Sequence, residues 1–218
     1  MTNAAHRSLP TVLAALAALA AALCGAPSFA DDQPPAQQIV DAVNARTVAV
    51  SGFTADLSLH VAMHTFPFLS LTVRGSAAYT RPGLYDVRLR SLPMIARAFG
   101  DVSGDAGDPS MWQRKYVIAV DRSTPAAPGL VALRMTPKSS GQIDHAEACI
   151  DVATMTVVRM AWYYVNGGSI TVDEHYAPVG RYLMVDSQTA EIAMPHVRAT
   201  ATADLSGYVL QSDVAVRP

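Results

Sequence analysis

A strict alternation of apolar and polar residues begins at Phe53 and limits what this chain can fold into. The apolar positions are Phe53, Ala55, Leu57, Leu59 and Val61, and the polar positions between them are Thr54, Asp56, Ser58 and His60. Because successive side chains of a β-strand point to opposite faces, this pattern predicts a strand with one buried and one solvated face. Such strands are typical of antiparallel sheets.

The same pattern recurs along most of the chain, and Asn166-Gly167-Gly168 supplies the residues that a tight hairpin requires. Short turns join most of these segments, so we predict a mainly β (α+β) fold. It consists of one incomplete, strongly curved antiparallel barrel of about ten or eleven strands. The further strand segments are Leu69–Tyr79, Tyr85–Arg90, Val117–Val120, Leu130–Met135, Ala146–Asp151, Val157–Val165, Ser169–Tyr176, Tyr182–Val185, Glu191–Met194, His196–Leu205 and Gly207–Val214.

Two segments depart from this β pattern. Apolar residues at helical spacing between Ala36 and Val50, after Pro34-Pro35, predict an amphipathic N-terminal helix. The apolar residues of Leu92–Phe99 predict a second, short helix. The Gly and Asp residues of Gly100–Pro109 predict a polar loop. We expect both helices to cover the concave apolar face of the sheet.

Residues 1–30 have the features of a cleaved secretory signal peptide. A cationic start at His6 and Arg7 precedes an apolar run from Thr11 to Leu23, and Ser28-Phe29-Ala30 fits a signal peptidase site. The apolar run is shorter than the roughly 20 residues of a membrane-spanning helix, and Leu23 before Cys24 fits a lipobox poorly. We therefore expect a periplasmic protein with a single domain over residues 31–218.

Composition narrows the classes of partner and of chemistry. The net charge is −2, so the chain has no excess of basic residues, and we expect no nucleic acid partner. Cys149 is the one cysteine after the predicted signal, and between Ala148 and Ile150 we interpret it as a small buried residue.

No motif along the chain indicates a catalytic or metal site. His60 and His64 could share a metal on one strand face, but no third ligand is near in sequence, and Asp101, Asp105 and Asp108 lack the spacing of a calcium loop. Glu147, Glu174 and Glu191 could each pair with another carboxylate as glycosidases require, but we interpret them as solvated strand residues. We therefore expect neither an enzyme, nor a metal, nor a cofactor, and the candidate site is a surface that binds an apolar ligand.

Two short motifs resemble those of a known family. Thr80–Arg88, with the sequence Thr-Arg-Pro-Gly-Leu-Tyr-Asp-Val-Arg, follows a helix, a strand starting at Ser51-Gly52 and a glycine-containing strand. Further along, Leu133–Lys138 ends in Thr-Pro-Lys and is followed by two more strands. In this order these motifs resemble the LolA-like family of periplasmic lipoprotein carriers.

The resemblance implies an incomplete barrel whose apolar cavity receives the acyl chains of a lipoprotein or another lipidic cargo. It also implies that Arg81, at the position of the family's Arg-Pro arginine, holds a helical lid by hydrogen bonds. Leu92–Phe99 is then the lid and Gly100–Pro109 its hinge. The expected ligand-binding residues are Arg81, Phe53, Leu57, Leu71, Val73, Tyr85, Val87, Ile95, Phe99, Met135 and Val157.

One departure from the family leaves other functions open. The family's Asp-Gly-x-x-x-Trp-x-Tyr strand is absent, and Leu92–Trp112 takes its place. The alternatives are an envelope-stress sensor or regulatory domain that binds a partner protein without transported cargo, and a small secreted hydrolase. For a carrier we expect a monomer that meets transport partners at the inner and outer membranes.

Overall fold

A computed structural model describes residues 35–47, 49–65, 69–80, 84–89, 109–123 and 126–211. The predicted signal peptide, Arg81, the Leu92–Phe99 helix with Ile95 and Phe99, and most of the Gly100–Pro109 loop lie outside the described residues. Tyr85 is described only in its backbone. No helix within the described ranges is both long and apolar enough to cross a bilayer.

The described fold contains two helices and ten strands. Helix α1 spans Ala36–Thr47 and helix α2 spans Pro109–Lys115. The strands are β1 Gly52–Met63, β2 Ser70–Thr80, β3 Leu84–Leu89, β4 Tyr116–Val120, β5 Leu130–Pro137, β6 Ile143–Asp151, β7 Thr156–Tyr164, β8 Ser169–Val179, β9 Tyr182–Met194 and β10 Val197–Leu210.

All ten strands form one antiparallel sheet in the order β3-β2-β1-β10-β9-β8-β7-β6-β5-β4. The chain therefore runs from β1 to the edge strand β3, reappears at the opposite edge as β4 and returns strand by strand until β10 pairs with β1. The sheet is curved and open, with both helices on it, so the predicted incomplete antiparallel barrel is confirmed.

Two glycines with positive φ mark one predicted turn and one irregularity of the sheet. Gly167 has a φ of 81°, and Tyr164 N donates to Gly168 O at 2.9 Å, so the predicted hairpin between β7 and β8 forms. Gly207, with a φ of 62°, lies where the register between β1 and β10 shifts. This bulge lets β10 continue as one strand where the sequence predicts two, and β9 likewise joins two predicted segments.

The interior is built by one face of each strand and one face of each helix. A larger cluster packs Ile39, Val40 and Val43 of α1 and Trp112 of α2 against strands β4 to β10. A smaller cluster contains Val50, Phe53, Ala55, Tyr79 and Met184. Leu133, Met135 and Ile150 are fully buried, so this interior is a packed core.

Two predictions about single elements are corrected. Pro109 begins a helix that the sequence analysis missed, since proline at the first helical position needs no amide partner there. Cys149 is half-buried and lies outside the core, because Ala146, Ala148 and Ile150 point inward and the residues between them point outward. Burial still raises the pKa of its thiol, and nearby Arg159 lowers it.

Candidate functional site

The concave face of the sheet, with α1 lying on it, is the candidate site. Six of the predicted ligand-binding residues belong to its inward-facing positions. Phe53, Leu57, Val73 and Met135 are buried, whereas Leu71 and Val157 are half-buried. Met135 and Val157 contribute to the larger cluster and Phe53 to the smaller one, so these residues line two parts of one face and do not meet at one point.

Val87, which is predicted to face the interior, is not buried. It pairs with the buried Ala77 and therefore points to the same side of the sheet, yet its side chain is 48% exposed. The reason is its position on β3, the edge strand, which has a hydrogen-bonded neighbour on one side only. Whether Val87 contacts a ligand stays a prediction, as it does for Tyr85.

Helix α1 is attached to the concave face by an arginine that the sequence analysis did not single out. Arg46, in the last turn of α1, donates from its guanidinium to Leu183 O on β9 at 2.8 Å. Its guanidinium carbon also lies 5.3 Å from the centre of the Tyr176 ring on β8. Desolvation lowers the pKa of Arg46, and Tyr176 opposes this effect. Arg46 thus ties α1 to β8 and β9, whereas Arg81, which is expected to hold the lid, lies outside the described residues.

A polar cluster lies on the same concave face between the two apolar clusters. Glu174 follows Ile170 and Val172 at alternate positions of β8, so its side chain points inward. Tyr176 Oη lies 2.6 Å from Glu174 Oε2, and Gln188 Nε2 donates to Glu174 Oε1 at 2.9 Å. The prediction that Glu174 is a solvated strand residue is therefore wrong, because its side chain is half-buried and hydrogen-bonded to neighbouring side chains.

The carboxyl group of Glu174 accepts from Gln188 and shares the hydroxyl proton of Tyr176 with Val157 O. Tyr176 Oη also lies 3.0 Å from Val157 O, and its single proton can be donated fully to one acceptor only. Burial raises the pKa of Glu174, while the bonds from Tyr176 and Gln188 lower it. The net effect is a pKa of Glu174 above its ordinary value, with desolvation as the largest cause.

Two buried polar atoms of the helices have no hydrogen-bond partner among the residues that the structure describes. They are Oδ1 of Asn44 on α1 and Nε1 of Trp112 on α2. The helices are joined by a hydrogen bond from Gln113 Nε2 to Asp41 Oδ1 at 3.0 Å. A buried acceptor and a buried donor left unpaired are costly, and polar groups of a bound molecule are one way to satisfy them.

Two recesses among the described residues are open to solvent and lined in part by polar side chains, unlike the apolar cavity that the carrier hypothesis predicts. One, of about 270 Å³, is lined by Asp56, Leu57, Ser58, Arg74, Gly75 and Ser206. The other, of about 400 Å³, lies at one end of the sheet around His64 and Arg198. On the concave face, the described side chains pack against α1. A cavity there would therefore have to form by displacement of α1.

The histidines considered as metal ligands on the polar strand faces contact threonine hydroxyl groups. His60 Nδ1 lies 3.0 Å from Thr72 Oγ1, and His64 Nε2 lies 2.7 Å from Thr200 Oγ1. Within the described ranges, no three His, Cys, Asp or Glu side chains are arranged to hold a metal ion. The partners of Glu174 are a tyrosine and a glutamine, so the carboxylate–histidine pair expected of a hydrolase does not form there.

Comparison with known proteins gives structural relatives only. No family model matches the chain, and no curated protein matches it. A DUF1329 family protein from Desulfovibrio piger is 12% identical with a TM-score of 0.57, over 85% of this chain and 96% of that one. A LolA superfamily protein from Nitrosomonas europaea is 11% identical with a TM-score of 0.53, over 82% and 94%.

A third solved structure is an outer membrane lipoprotein-sorting protein domain from Vibrio parahaemolyticus. It is 11% identical with a TM-score of 0.52, over 83% of this chain and 95% of that domain. At such identities the likeness concerns the fold, and the three structures match most of the chain. The protein therefore has a LolA-like fold.

Proposed function

We propose that this protein is a periplasmic carrier that binds the acyl chains of a lipoprotein, or another lipidic cargo, on the concave face of its sheet. The proposal depends most on the unpaired Oδ1 of Asn44 and Nε1 of Trp112, buried in helices that cover an apolar face. An acylated cargo would match both the apolar face and the unpaired polar atoms. Its chain is apolar, its ester or amide carbonyl oxygen can accept a hydrogen bond, and an amide N–H can donate one.

The lining and the cover suit this role. Met63, Met135, Met160 and Met184 are buried on strands, and methionine adapts to irregular ligands because its side chain is unbranched and flexible. Helix α1 contributes Ile39, Val40 and Val43 to the core, and an acyl chain could replace their contacts when α1 moves away. The solved structures assigned to the LolA superfamily and to lipoprotein sorting support the proposal at the level of the fold.

A second candidate function is a regulatory domain that binds a partner protein and carries no cargo. The observation that favours it is the packed interior, in which Leu133, Met135 and Ile150 are fully buried in one cluster with residues of α1. The two functions differ in what the purified protein holds: a carrier retains lipid, whereas a regulatory domain of this kind does not.

The deciding experiment is native mass spectrometry of the protein exported to a bacterial periplasm, combined with titration of a fluorescent fatty acid. A carrier is expected to show lipid adducts and saturable probe binding. In the Arg46→Met variant helix α1 is held less tightly, so this variant should bind the probe faster. Arg122→Met, at an exposed position, is the control. Absence of adducts and of probe binding in all three folded proteins would contradict the carrier function and favour the second candidate.

Trp112→Phe tests the role of the unpaired donor. The substitution keeps an aromatic ring but removes Nε1–H, so a carrier should bind an amide-containing acyl probe more weakly. Trp162→Phe is the matched control, since Trp162 is also buried and inward-facing. Equal effects of the two substitutions would show that Nε1 of Trp112 does not contact the cargo.

A further inference from the structure

The recess of about 400 Å³ lies at one end of the sheet, at the margin of the larger apolar cluster, against which Met194 and Val197 pack. It forms where β1 ends and where the hairpin between β9 and β10 turns. Its lining residues are His64, Thr65, Met194, Pro195, His196, Val197 and Arg198. Nothing in the proposed carrier function uses these residues.

The recess contains potential cations and no acid. Arg198 and two histidines line it, whereas no Asp or Glu does. Arg198 forms no ion pair with any carboxylate of the described ranges. A guanidinium presents a planar set of donors that matches the oxygens of a phosphate, and imidazole N–H groups add further donors.

The backbone around these side chains is held in place. Arg198 N donates to Thr65 Oγ1 at 2.7 Å, and His64 N donates to Arg198 O at 2.7 Å. The His64 ring is fixed in turn through Nε2, which lies 2.7 Å from Thr200 Oγ1. The end of β1 and the start of β10 are therefore fastened together, which holds the backbone at His64 and Arg198 in place.

An exposed apolar residue lies beside the cations. Leu69 is 42% exposed, and its carbonyl accepts from Met63 N at 3.0 Å, next to His64. Met194, Pro195 and Val197 add apolar surface to the recess itself. Cations next to exposed apolar side chains suit the interface of a bilayer, where headgroup phosphates lie above acyl chains.

We propose that this recess binds the phosphate of an anionic phospholipid headgroup and so seats this end of the sheet on a membrane surface. The apolar residues favour a bilayer over free phosphate or an acidic peptide, neither of which would cover them. The inference goes beyond cargo binding on the concave face and does not depend on it.

Vesicle flotation tests the proposal with the whole protein. Vesicles of phosphatidylcholine alone are compared with vesicles in which about one third is phosphatidylglycerol. We expect binding to the anionic vesicles, and Arg198→Gln should weaken it about fivefold, the effect of one basic residue near an anionic surface. The backbone bonds of Arg198 do not involve its side chain, so this variant should fold.

His196→Gln, in the exposed hairpin turn, is expected to weaken binding in the same direction. Arg122→Gln is the matched control, because Arg122 is exposed and far from the recess in the chain. Equal binding to both vesicle types, or equal losses from Arg198→Gln and Arg122→Gln, would overturn the proposal. Displacement from vesicles by millimolar inorganic phosphate would also overturn it and indicate a free-phosphate site. Fatty acid binding, measured in parallel, should be unchanged by Arg198→Gln.

Discussion

Replacement of Arg46 by methionine should loosen helix α1 without unfolding the sheet. Methionine keeps an unbranched stem that can pack on the Tyr176 ring, but it loses the bond to Leu183 O and the cation–π contact. A hydrogen bond from a charged group contributes about 1.5–3 kcal/mol and an exposed cation–π contact about 0.5–1 kcal/mol. Because Arg46 is half-buried and must be desolvated, we expect a net loss smaller than the sum of these contributions, about 1–2 kcal/mol in total.

Hydrogen exchange followed by mass spectrometry measures this change directly. Since about 1.4 kcal/mol corresponds to a factor of ten, amides of Ala36–Thr47 should exchange about 5–30 times faster in Arg46→Met. Amides of β7 should keep their rates, because no contact of Arg46 reaches that strand.

Two variants separate the tether from other effects. Arg122→Met removes an exposed arginine that has no described contact, so exchange in α1 should stay at the wild-type rate. Arg46→Lys keeps the charge but not the planar donor set and should fall between wild type and Arg46→Met. Unchanged exchange of α1 in Arg46→Met, with the sheet intact, would refute the assignment of Arg46 as the tether.

Three further changes test the core, the bulge and the buried carboxyl group. Met135→Ala should lower the free energy of unfolding by about 2–5 kcal/mol in urea, since Met135 is fully buried, whereas Val117→Ala, 60% exposed, should change it by less than about 0.5 kcal/mol. Gly207→Ala should lower it by about 1–2 kcal/mol because the φ of 62° strains an alanine, and Gly141→Ala, without a positive φ, is its control. Burial raises the pKa of Glu174 above its ordinary 4.5, so the folded protein holds this proton more tightly than the unfolded chain and stability should fall as pH rises from 4.5 through the raised pKa. Glu174→Gln should remove this part of the pH dependence in urea titrations, and an unchanged pH profile would contradict a raised pKa of Glu174.

Local patterns in the sequence carry most of the information about elements and faces. The alternation from Phe53 to Val61 predicts β1, and the helical spacing of Ile39, Val40 and Val43 predicts the buried side of α1. Both follow from backbone geometry, because strand and helix periods determine which side chains share a face. The left-handed Gly167 likewise marks a turn whose conformation depends only on neighbouring residues.

The candidate site depends on contacts between residues far apart in the chain. No local pattern shows that β10 closes onto β1, that Arg46 reaches Leu183, or that Glu174 is enclosed while Glu191 is exposed. The recess around Arg198 similarly requires the end of β1 to meet the start of β10.

The sequence by itself determined that this chain forms amphipathic antiparallel strands with one apolar face, because side-chain direction along a strand follows from its two-residue period. Only the tertiary structure decided which polar side chains that face encloses and which helix residue fastens the cover. Those outcomes depend on the curvature of the whole sheet and on the position of α1. Both are set by the packing of residues distant in sequence, such as Val43 against the strands that form the core.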